Sequence, residues 1–157
     1  MAQILTALIC LNAHPINWRT EDRPTFNTKF CKQCGAKTIN ACPQCNSPIQ
    51  GTVIANSGHN YDPRTAPAYC HECGSPYPCT AERMKAAKDI VELSTTLGAE
   101  DKAEVIDAII LTSTESPRTP VAAEKLKKYL PVIGKTAQDV ITAVLSETAK
   151  NILFPGP

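Results

Sequence analysis

The pattern of apolar and polar residues changes part-way along this 157-residue chain. In the first part, short apolar runs at residues 3–10, 36–41 and 47–54 alternate with polar stretches, which predicts short strands joined by loops. The glycine and two prolines of residues 56–68 mark that stretch as one of the loops. From about residue 81 onward, apolar residues recur three and four positions apart, which predicts helices.

Three or four helices are predicted in this second part. They cover residues 81–96, 100–112, 119–130 and about 15 residues that begin near Thr136. Thr80 is predicted to cap the first helix and Gly98 to end it. Thr119 is predicted to cap another helix, with Pro120 at the first helical position, which proline suits. Thr136, with an aspartate three residues later, has the spacing of a capping box.

The last predicted helix carries one continuous apolar stripe. Its members follow one another at intervals of 3, 1, 3, 1, 3 and 4 residues, as expected for one wide face of a helix. They are Ala137, Val140, Ile141, Val144, Leu145, Thr148 and Ile152. A terminal amphipathic helix of this kind either completes the core of its own domain or forms a contact between copies of the chain, and the sequence leaves both interpretations open.

The eight cysteines all precede residue 80, and seven of them form four pairs of metal-ligand type with the help of one histidine. Three pairs have the spacing Cys-x-x-Cys, which lets two thiolates hold one ion from a tight turn. Glycine follows two of these pairs and supplies the positive φ that such a turn needs. The pairs are Cys10 with His14, Cys31 with Cys34, Cys42 with Cys45, and Cys70 with Cys73.

The pairs occur as a repeat of two. Each copy opens with a ligand pair followed closely by Pro-Ile, and closes with an aromatic residue and Cys-x-x-Cys-Gly. Two pairs per copy provide four ligands, the number that tetrahedral Zn²⁺ requires. We therefore predict two structural Zn²⁺ ions per chain. Iron in a rubredoxin-like site is the alternative, because thiolate tetrahedra hold both metals.

The repeat favours a sequential pairing, in which the first pair shares an ion with the second and the third with the fourth. One alternative is a cross-braced pairing, first with third and second with fourth. Another joins the two central Cys-x-x-Cys motifs. His14 is predicted to be the fourth ligand of the first site; as a surface residue, it would leave that site with three ligands.

No catalytic site is predicted. Four protein ligands at each metal leave no position for the activated water of a hydrolytic zinc enzyme. His59 and His71 are expected to be exposed to solvent. Cys79, which lies outside the repeat, is expected to be a small buried residue or a free thiol. We therefore expect a protein that is not an enzyme and has no small-molecule substrate.

The length allows one or two small domains, and the change of composition near residue 80 favours a small α+β protein of two. The metal-rich part is poor in large apolar side chains, so its hydrophobic core must be small. A core of this size rarely folds without a further cross-link, and bound zinc can provide one. The first predicted domain, residues 1–79, is a double zinc ribbon made of two tandem rubredoxin-like ribbons. The second, residues 80–157, is a helical region with a terminal amphipathic helix.

The formal net charge is +1, and neither predicted domain is a basic block. Extensive non-specific binding to nucleic acid is therefore not expected. A local cluster of basic residues does surround the first metal site, and it is either a binding patch or an ordinary solvated surface. Its members are Arg19, Arg23, Lys29, Lys32 and Lys37.

Residues 4–11 are apolar, but the run is far shorter than the ~20 residues of a membrane span. It also lacks a preceding basic residue, so no signal peptide is expected. Cysteines that are kept as thiolate ligands fit a reducing compartment. A cytoplasmic protein without a membrane partner is predicted.

These motifs together resemble an uncharacterised bacterial family in which an N-terminal double zinc ribbon precedes a C-terminal helical region. The matching segments are residues 10–17, 30–39, 42–51, 69–80, 116–123 and 146–150. The resemblance implies zinc binding by Cys10, His14, Cys31, Cys34, Cys42, Cys45, Cys70 and Cys73. An aromatic residue commonly stands at the position of Cys79 in that family, which supports leaving Cys79 out of the ligand set. The resemblance carries no activity to this chain.

Two functions follow as hypotheses. The first is a non-enzymatic interaction or adaptor protein, whose ribbons present loops such as residues 17–29 and 55–69 to a protein partner or to a second copy of the chain. Such an adaptor would belong to a multi-protein bacterial system, for example one of stress response or phage defence. The alternative is nucleic-acid binding, in which Trp18 and Phe26 stack on bases beside the basic cluster.

Overall fold

Six short strands form two small antiparallel sheets in the computed structural model, which describes residues 2–156. The strands are β1 (Gln3–Thr6), β2 (Leu8–Cys10), β3 (Pro15–Asn17), β4 (Thr38–Ile39), β5 (Gln50–Ile54) and β6 (Asn60–Tyr61). The order is β1-β5-β6 in sheet A and β3-β2-β4 in sheet B. A short 3-10 helix, Pro24–Phe26, lies between β3 and β4.

Five α-helices follow in the described part of the chain. They are α1 (Pro78–Glu92), α2 (Ala99–Thr112), α3 (Thr119–Tyr129), α4 (Gly134–Thr142) and α5 (Glu147–Leu153). The predicted small α+β class is confirmed in this general form. The chain divides into two compact units, which we call unit 1, ending at Ala81, and unit 2, starting at Glu82.

The predicted single strand over residues 3–10 is divided at Ala7 between the two sheets. β1 pairs with β5, whereas β2 pairs with β3 and β4. Ala7 itself is buried and its N–H donates to the carbonyl of Ile49 at 2.7 Å. The predicted loop over residues 56–68 also differs, because it contains β6, which pairs with the end of β5.

Gly51 allows the close backbone packing of unit 1. A Cβ atom at this position would overlap the carbonyl oxygen of Trp18 and come within 3.0 Å of the Ala7 nitrogen and the Leu5 oxygen. The N–H of the next residue, Thr52, donates to the same Trp18 oxygen at 2.9 Å. Only glycine therefore lets β5 approach both chain segments at this point.

The core of unit 1 is small. Its buried cluster comprises Ala7, Ile9, Cys42, Ile49, Cys70, Tyr77 and Cys79. Cys79 is 6% exposed, so it is the small buried residue that one interpretation of the sequence predicted.

The first two helices begin and end at other residues than predicted. α1 begins at Pro78, because proline suits the first helical turn, and Thr80 therefore lies inside the helix instead of capping it. The N–H of Thr80 donates to the carbonyl of Tyr77 at 2.9 Å. Gly98 does not end α1, which stops at Glu92; it is the N-cap residue of α2.

The prediction that Thr119 caps the third helix is wrong, because Thr119 is already its first helical residue. Arg118 is the N-cap residue of α3, and the Thr119 side chain instead joins the preceding loop. Its hydroxyl accepts the N–H of Ser116 at 2.9 Å and donates to the carbonyl of Thr114 at 2.7 Å.

The prediction of a single terminal helix is wrong, because the chain leaves the helical conformation between α4 and α5. Ser146 caps α5, and its hydroxyl accepts the N–H of Ala149 at 3.3 Å. The Ser146 N–H donates to the carbonyl of Thr112 at 2.8 Å, which ties the break to the end of α2. The predicted capping box at Thr136 is also wrong, since α4 begins at Gly134 with no side-chain cap bond.

The terminal stripe packs inside unit 2. Three of its members, Ala137, Ile141 and Leu145, are buried, and the same four-residue spacing continues through the buried residues Ile133, Ala149 and Leu153. A helix of 3.6 residues per turn rotates a four-residue series by about 40° at each step, so a straight helix could not keep all six on one side. The break between α4 and α5 redirects the series, and these residues complete the aliphatic core of their own unit.

Candidate metal centres

Site 1 brings together the first two predicted ligand pairs. Cys10 is the last residue of β2 and His14 directly precedes β3, while Cys31 and Cys34 lie in the turn that leads to β4. One donor atom from each of the four residues lies within 4.8 Å of all the others. The Sγ atoms of Cys10 and Cys34 are 3.7 Å apart, and His14 Nδ1 lies 3.3 Å from Cys34 Sγ.

Site 2 brings together the third and fourth pairs. Cys42 and Cys45 lie in the turn between β4 and β5, and Cys70 and Cys73 lie in the turn that precedes α1. The Sγ atoms are 3.6 Å apart for Cys45 and Cys70 and 3.8 Å apart for Cys42 and Cys73. The side chains therefore group by the sequential pairing, and neither alternative grouping occurs among the described residues.

The spacing of the donor atoms fits a tetrahedral ion. Metal–sulfur bonds of about 2.3 Å in a tetrahedron place two sulfurs about 3.8 Å apart. The three sulfur–sulfur distances given above, 3.6, 3.7 and 3.8 Å, lie close to this value. Each cluster could therefore hold one metal ion, with three thiolates and an imidazole in site 1 and four thiolates in site 2.

The three Cys-x-x-Cys turns share one backbone conformation. In the first, the N–H of Cys31 donates to the carbonyl of Ala36 and the N–H of Gly35 to that of Cys31, both at 2.8 Å. The same two bonds recur in the other turns. The residue after the second cysteine has a positive φ in each turn: 71° at Gly35, 61° at Asn46 and 70° at Gly74. Glycine and asparagine adopt this conformation readily.

The Cys10–His14 turn is shorter, and this explains its different ligand spacing. Here the positive φ, 65°, falls on Ala13, three residues after Cys10. The N–H of Cys10 donates to the carbonyl of His14 at 3.0 Å, which closes the turn one residue earlier than in the Cys-x-x-Cys turns. In this turn the second ligand, His14, directly follows the residue with a positive φ. In the Cys-x-x-Cys turns the second cysteine directly precedes that residue. An alanine in this conformation is uncommon, and no sequence signal indicates it.

Hydrogen bonds to sulfur favour the thiolate form, the form that binds metal. The N–H of Ala36 is the main cause of a Cys34 pKa lowered to about 6. The Ser47 hydroxyl, 3.3 Å from Cys70 Sγ, is the main cause of a Cys70 pKa lowered to about 5. Burial acts in the opposite direction at Cys10 and raises its pKa.

Ser47 was not singled out from the sequence. Its hydroxyl lies 3.3 Å from the Sγ atoms of both Cys45 and Cys70, so it contacts one ligand from each turn of site 2. The signal that could have found it is its position, two residues after the second cysteine of a Cys-x-x-Cys turn, where a hydroxyl can reach the ligands.

The remaining residues of metal-binding type stand apart from both clusters. Cys79 belongs to neither cluster among the described residues. His59, His71 and Glu72 are exposed, the first in a loop and the other two inside the Cys70–Cys73 turn.

A pocket of about 300 Å³ lies in unit 1 beside β3. Its lining residues are Pro15, Ile16, Asn17, Trp18, Arg19, Arg23, Phe26 and Asp62. Asp62 Oδ1 accepts the Thr52 hydroxyl at 2.6 Å and Arg19 Nη2 at 3.4 Å. The Thr52 bond is the main cause of the lowered pKa of Asp62, and Arg19 and Arg23 add to it. Of the predicted basic cluster, only these two arginines line the pocket.

Fold and clusters together define a small α+β protein with two candidate metal centres. A family model matches residues 3–153, and the chain belongs to that family, described as uncharacterized protein conserved in bacteria (DUF2321). The predicted membership of an uncharacterised bacterial family is thereby confirmed. No curated protein and no solved structure matches the chain.

Within residues 2–156, no helix combines the length and the apolar character needed to cross a membrane.

Proposed function

We propose that this protein is a non-enzymatic, zinc-binding interaction module that acts as an adaptor in the bacterial cytoplasm. The observation that carries the proposal is the composition of the two clusters, each of which offers four protein donors. A closed set of four donors is typical of structural zinc, whereas catalytic zinc keeps one position for water or substrate. Each pair of turns with its short strands would then be one rubredoxin-like zinc ribbon.

Zinc is the ion we assign to both sites. Mixed sulfur and imidazole ligation, as in site 1, is common for structural zinc, and a set of four cysteines is equally so. Iron in site 2 is the alternative, because a thiolate tetrahedron also accepts it. The absorption spectrum of the purified protein distinguishes the two, since zinc is colourless and iron in a thiolate tetrahedron is not.

Sheet A offers a surface for a protein partner. The strand register places Ile4 beside Val53 and Val53 beside Tyr61, so these three side chains share one side of the sheet. Ile4 is 50% exposed and Tyr61 62% exposed. This row includes part of the predicted presenting loop 55–69. The terminal stripe of unit 2 is a poorer candidate for a contact between copies, because its buried members already pack within their own unit.

Native mass spectrometry of the protein purified gently from its own host tests the proposal. We expect two zinc ions per chain and a mass that includes a partner protein or further copies. Fewer than two metal ions would contradict the assignment of the sites. A bare monomer with two zinc ions would contradict the adaptor role and favour the second candidate below.

A matched pair of variants locates the partner surface. Tyr61→Ser should abolish the association, because it removes the largest exposed side chain of the row on sheet A. Leu93→Ser changes a residue of unit 2 that is 75% exposed, and should leave the association unchanged. Loss of the partner in both variants, or in neither, would contradict a contact through sheet A.

The pocket beside β3 favours a second candidate function, binding of single-stranded nucleic acid. It combines two aromatic residues, Trp18 and Phe26, with two arginines, and Phe26 is 59% exposed. Aromatic side chains stack on bases of any sequence, and arginines contact the phosphates. Asp62 occupies the same pocket and would repel a phosphate, but Arg19 already pairs with it, which leaves Arg23 for the strand.

Trp18 provides a direct test because it is the only tryptophan of the chain and lines the pocket. Titration with short single strands should change its fluorescence, and the affinity should fall as salt is added. Phe26→Ala should weaken binding by roughly 5- to 150-fold if it stacks on one base. Phe30→Ala, which alters an equally exposed aromatic residue outside the pocket, serves as the control. Unchanged fluorescence, or equal effects of both variants, would exclude binding in this pocket.

A further inference from the structure

The two metal centres differ in charge once they are loaded. Four thiolates around Zn²⁺ leave a formal charge of two minus, whereas three thiolates and a neutral imidazole leave one minus. Site 2 therefore has the greater need for hydrogen-bond donors directed at its sulfurs, because a partly buried negative charge is stable only when donors compensate it.

Backbone donors serve both sites alike. In site 1 the N–H groups of Asn12 and His14 lie 3.4 and 3.3 Å from Cys10 Sγ. In site 2 the N–H of Glu72 lies 3.4 Å from Cys70 Sγ. These bonds follow from the shape of the turns and do not separate one site from the other.

In site 2 the Ser47 hydroxyl also contacts one ligand from each of the two turns. Ser47 belongs to the Cys42–Cys45 turn, yet its Oγ lies 3.3 Å from Cys70 Sγ in the opposite turn. The residue at the equivalent position of the Cys31–Cys34 turn in site 1 is Ala36, which has no polar side-chain atom. Once both nearby sulfurs are thiolates, the hydroxyl can only donate, and a donor bond to an ionised group is among the stronger hydrogen bonds.

We infer that Ser47 is a positioning residue that sets the metal affinity of site 2 by donating its hydroxyl hydrogen to the Cys70 thiolate and linking the two turns. The inference rests on the proposed binding of metal by both clusters. Groups that hold metal ligands from outside the coordination sphere typically contribute 10- to 100-fold to affinity. The effect of Ser47 should be confined to site 2.

Release of zinc to a coloured chelator, followed over time, is the first part of the test. Ser47→Ala should accelerate release from one of the two sites by about 10-fold or more, and leave the other unchanged. Ser47→Thr keeps a hydroxyl at this position and should release zinc at close to the original rates. Site 1 of the same molecule is the internal control, since its ligands have no contact with Ser47 among the hydrogen bonds of the described residues.

Cadmium-113 NMR of the fully loaded protein assigns the effect. A cadmium ion bound by four sulfurs resonates separately from one bound by three sulfurs and a nitrogen. In Ser47→Ala only the four-sulfur resonance should shift. Unchanged resonances and release rates, or equal changes at both sites, would overturn the role of Ser47. An unaltered protein that binds no metal at site 2 would instead overturn the proposed function.

Discussion

Among the described residues, the buried cluster of unit 2 comprises fifteen residues, all aliphatic, whereas that of unit 1 comprises seven, three of which are cysteines. Unit 2 therefore has an ordinary hydrophobic core, formed by α1 to α5. Unit 1 has strands of two to five residues and little apolar surface to bury. We expect it to depend on bound metal for the stability that its core does not provide.

With metal bound as proposed, one chain combines two sources of stability. A hydrophobic core depends on packing density and responds to changes of side-chain volume. A metal-bound unit depends on eight donor atoms and responds to chelators and to changes in the donors. We therefore expect that each source of stability can be removed while the other is left in place.

Removal of metal should unfold unit 1 and leave unit 2 folded. Structural zinc contributes roughly 10–16 kcal/mol in zinc-finger peptides, more than a core as small as that of unit 1 can replace. After treatment with a strong chelator, the fluorescence of Trp18 should shift to longer wavelength, while far-UV ellipticity should retain its helical component. Simultaneous loss of the helical signal would contradict independent sources of stability.

Ile109→Ala should destabilise unit 2 and leave unit 1 unchanged. Ile109 is fully buried in the core of unit 2, and truncation at such a site destabilises by about 2–5 kcal/mol. Chemical denaturation followed by ellipticity measures the loss, and the zinc content should remain at the unaltered value. Ile110→Ala, at a neighbouring residue that is 41% exposed, is the control and should have a much smaller effect.

Gly51→Ala should destabilise unit 1 even when metal is bound. The added methyl group would overlap the backbone of Trp18, and overpacking of this kind costs about 1–3 kcal/mol. Denaturation followed by Trp18 fluorescence reports on the affected unit. Gln50→Ala alters the exposed neighbour in the same strand and should change the midpoint little. Equal midpoints for both variants would show that β5 can move away from Trp18.

Ser146→Ala should change stability less than Ile109→Ala and Gly51→Ala, and its effect falls in unit 2. Loss of the hydroxyl that caps α5 is expected to cost about 0.5–2 kcal/mol. Thr136→Ala removes the residue that the sequence predicted as a cap, although it makes no cap bond at the start of α4, and its effect should be close to zero. A larger loss of stability in Thr136→Ala than in Ser146→Ala would instead support the predicted single terminal helix.

The sequence favoured the grouping that the candidate ligands adopt, because the signals of each ligand pair are local. A Cys-x-x-Cys motif needs only one turn to bring its sulfurs together, and Gly35 and Gly74 mark where two such turns require a positive φ. The repeat then indicated which turns meet. The conformation of Ala13 could not be predicted, because the backbone bonds of the turn impose it and alanine has no preference for it.

The terminal helix was predicted less well because its signals are not local. The apolar series continues through residues 143–146 without a gap, so periodicity alone predicts one helix. The break depends on a bond from Ser146 to Thr112 and on one from the Thr148 N–H to Glu115 Oε1 at 3.1 Å. Both partners lie far earlier in the chain, where a sequence pattern gives no indication of them.

The strand order of unit 1 has a consequence for the chain as it leaves the ribosome. Sheet B and site 1 have all their parts once Ile39 has been made. β1 is made before them, yet it pairs in sheet A with β5, which ends at Ile54. β1 therefore lacks its partner in sheet A until β5 has been made, and site 2 cannot close until Cys73 has been added.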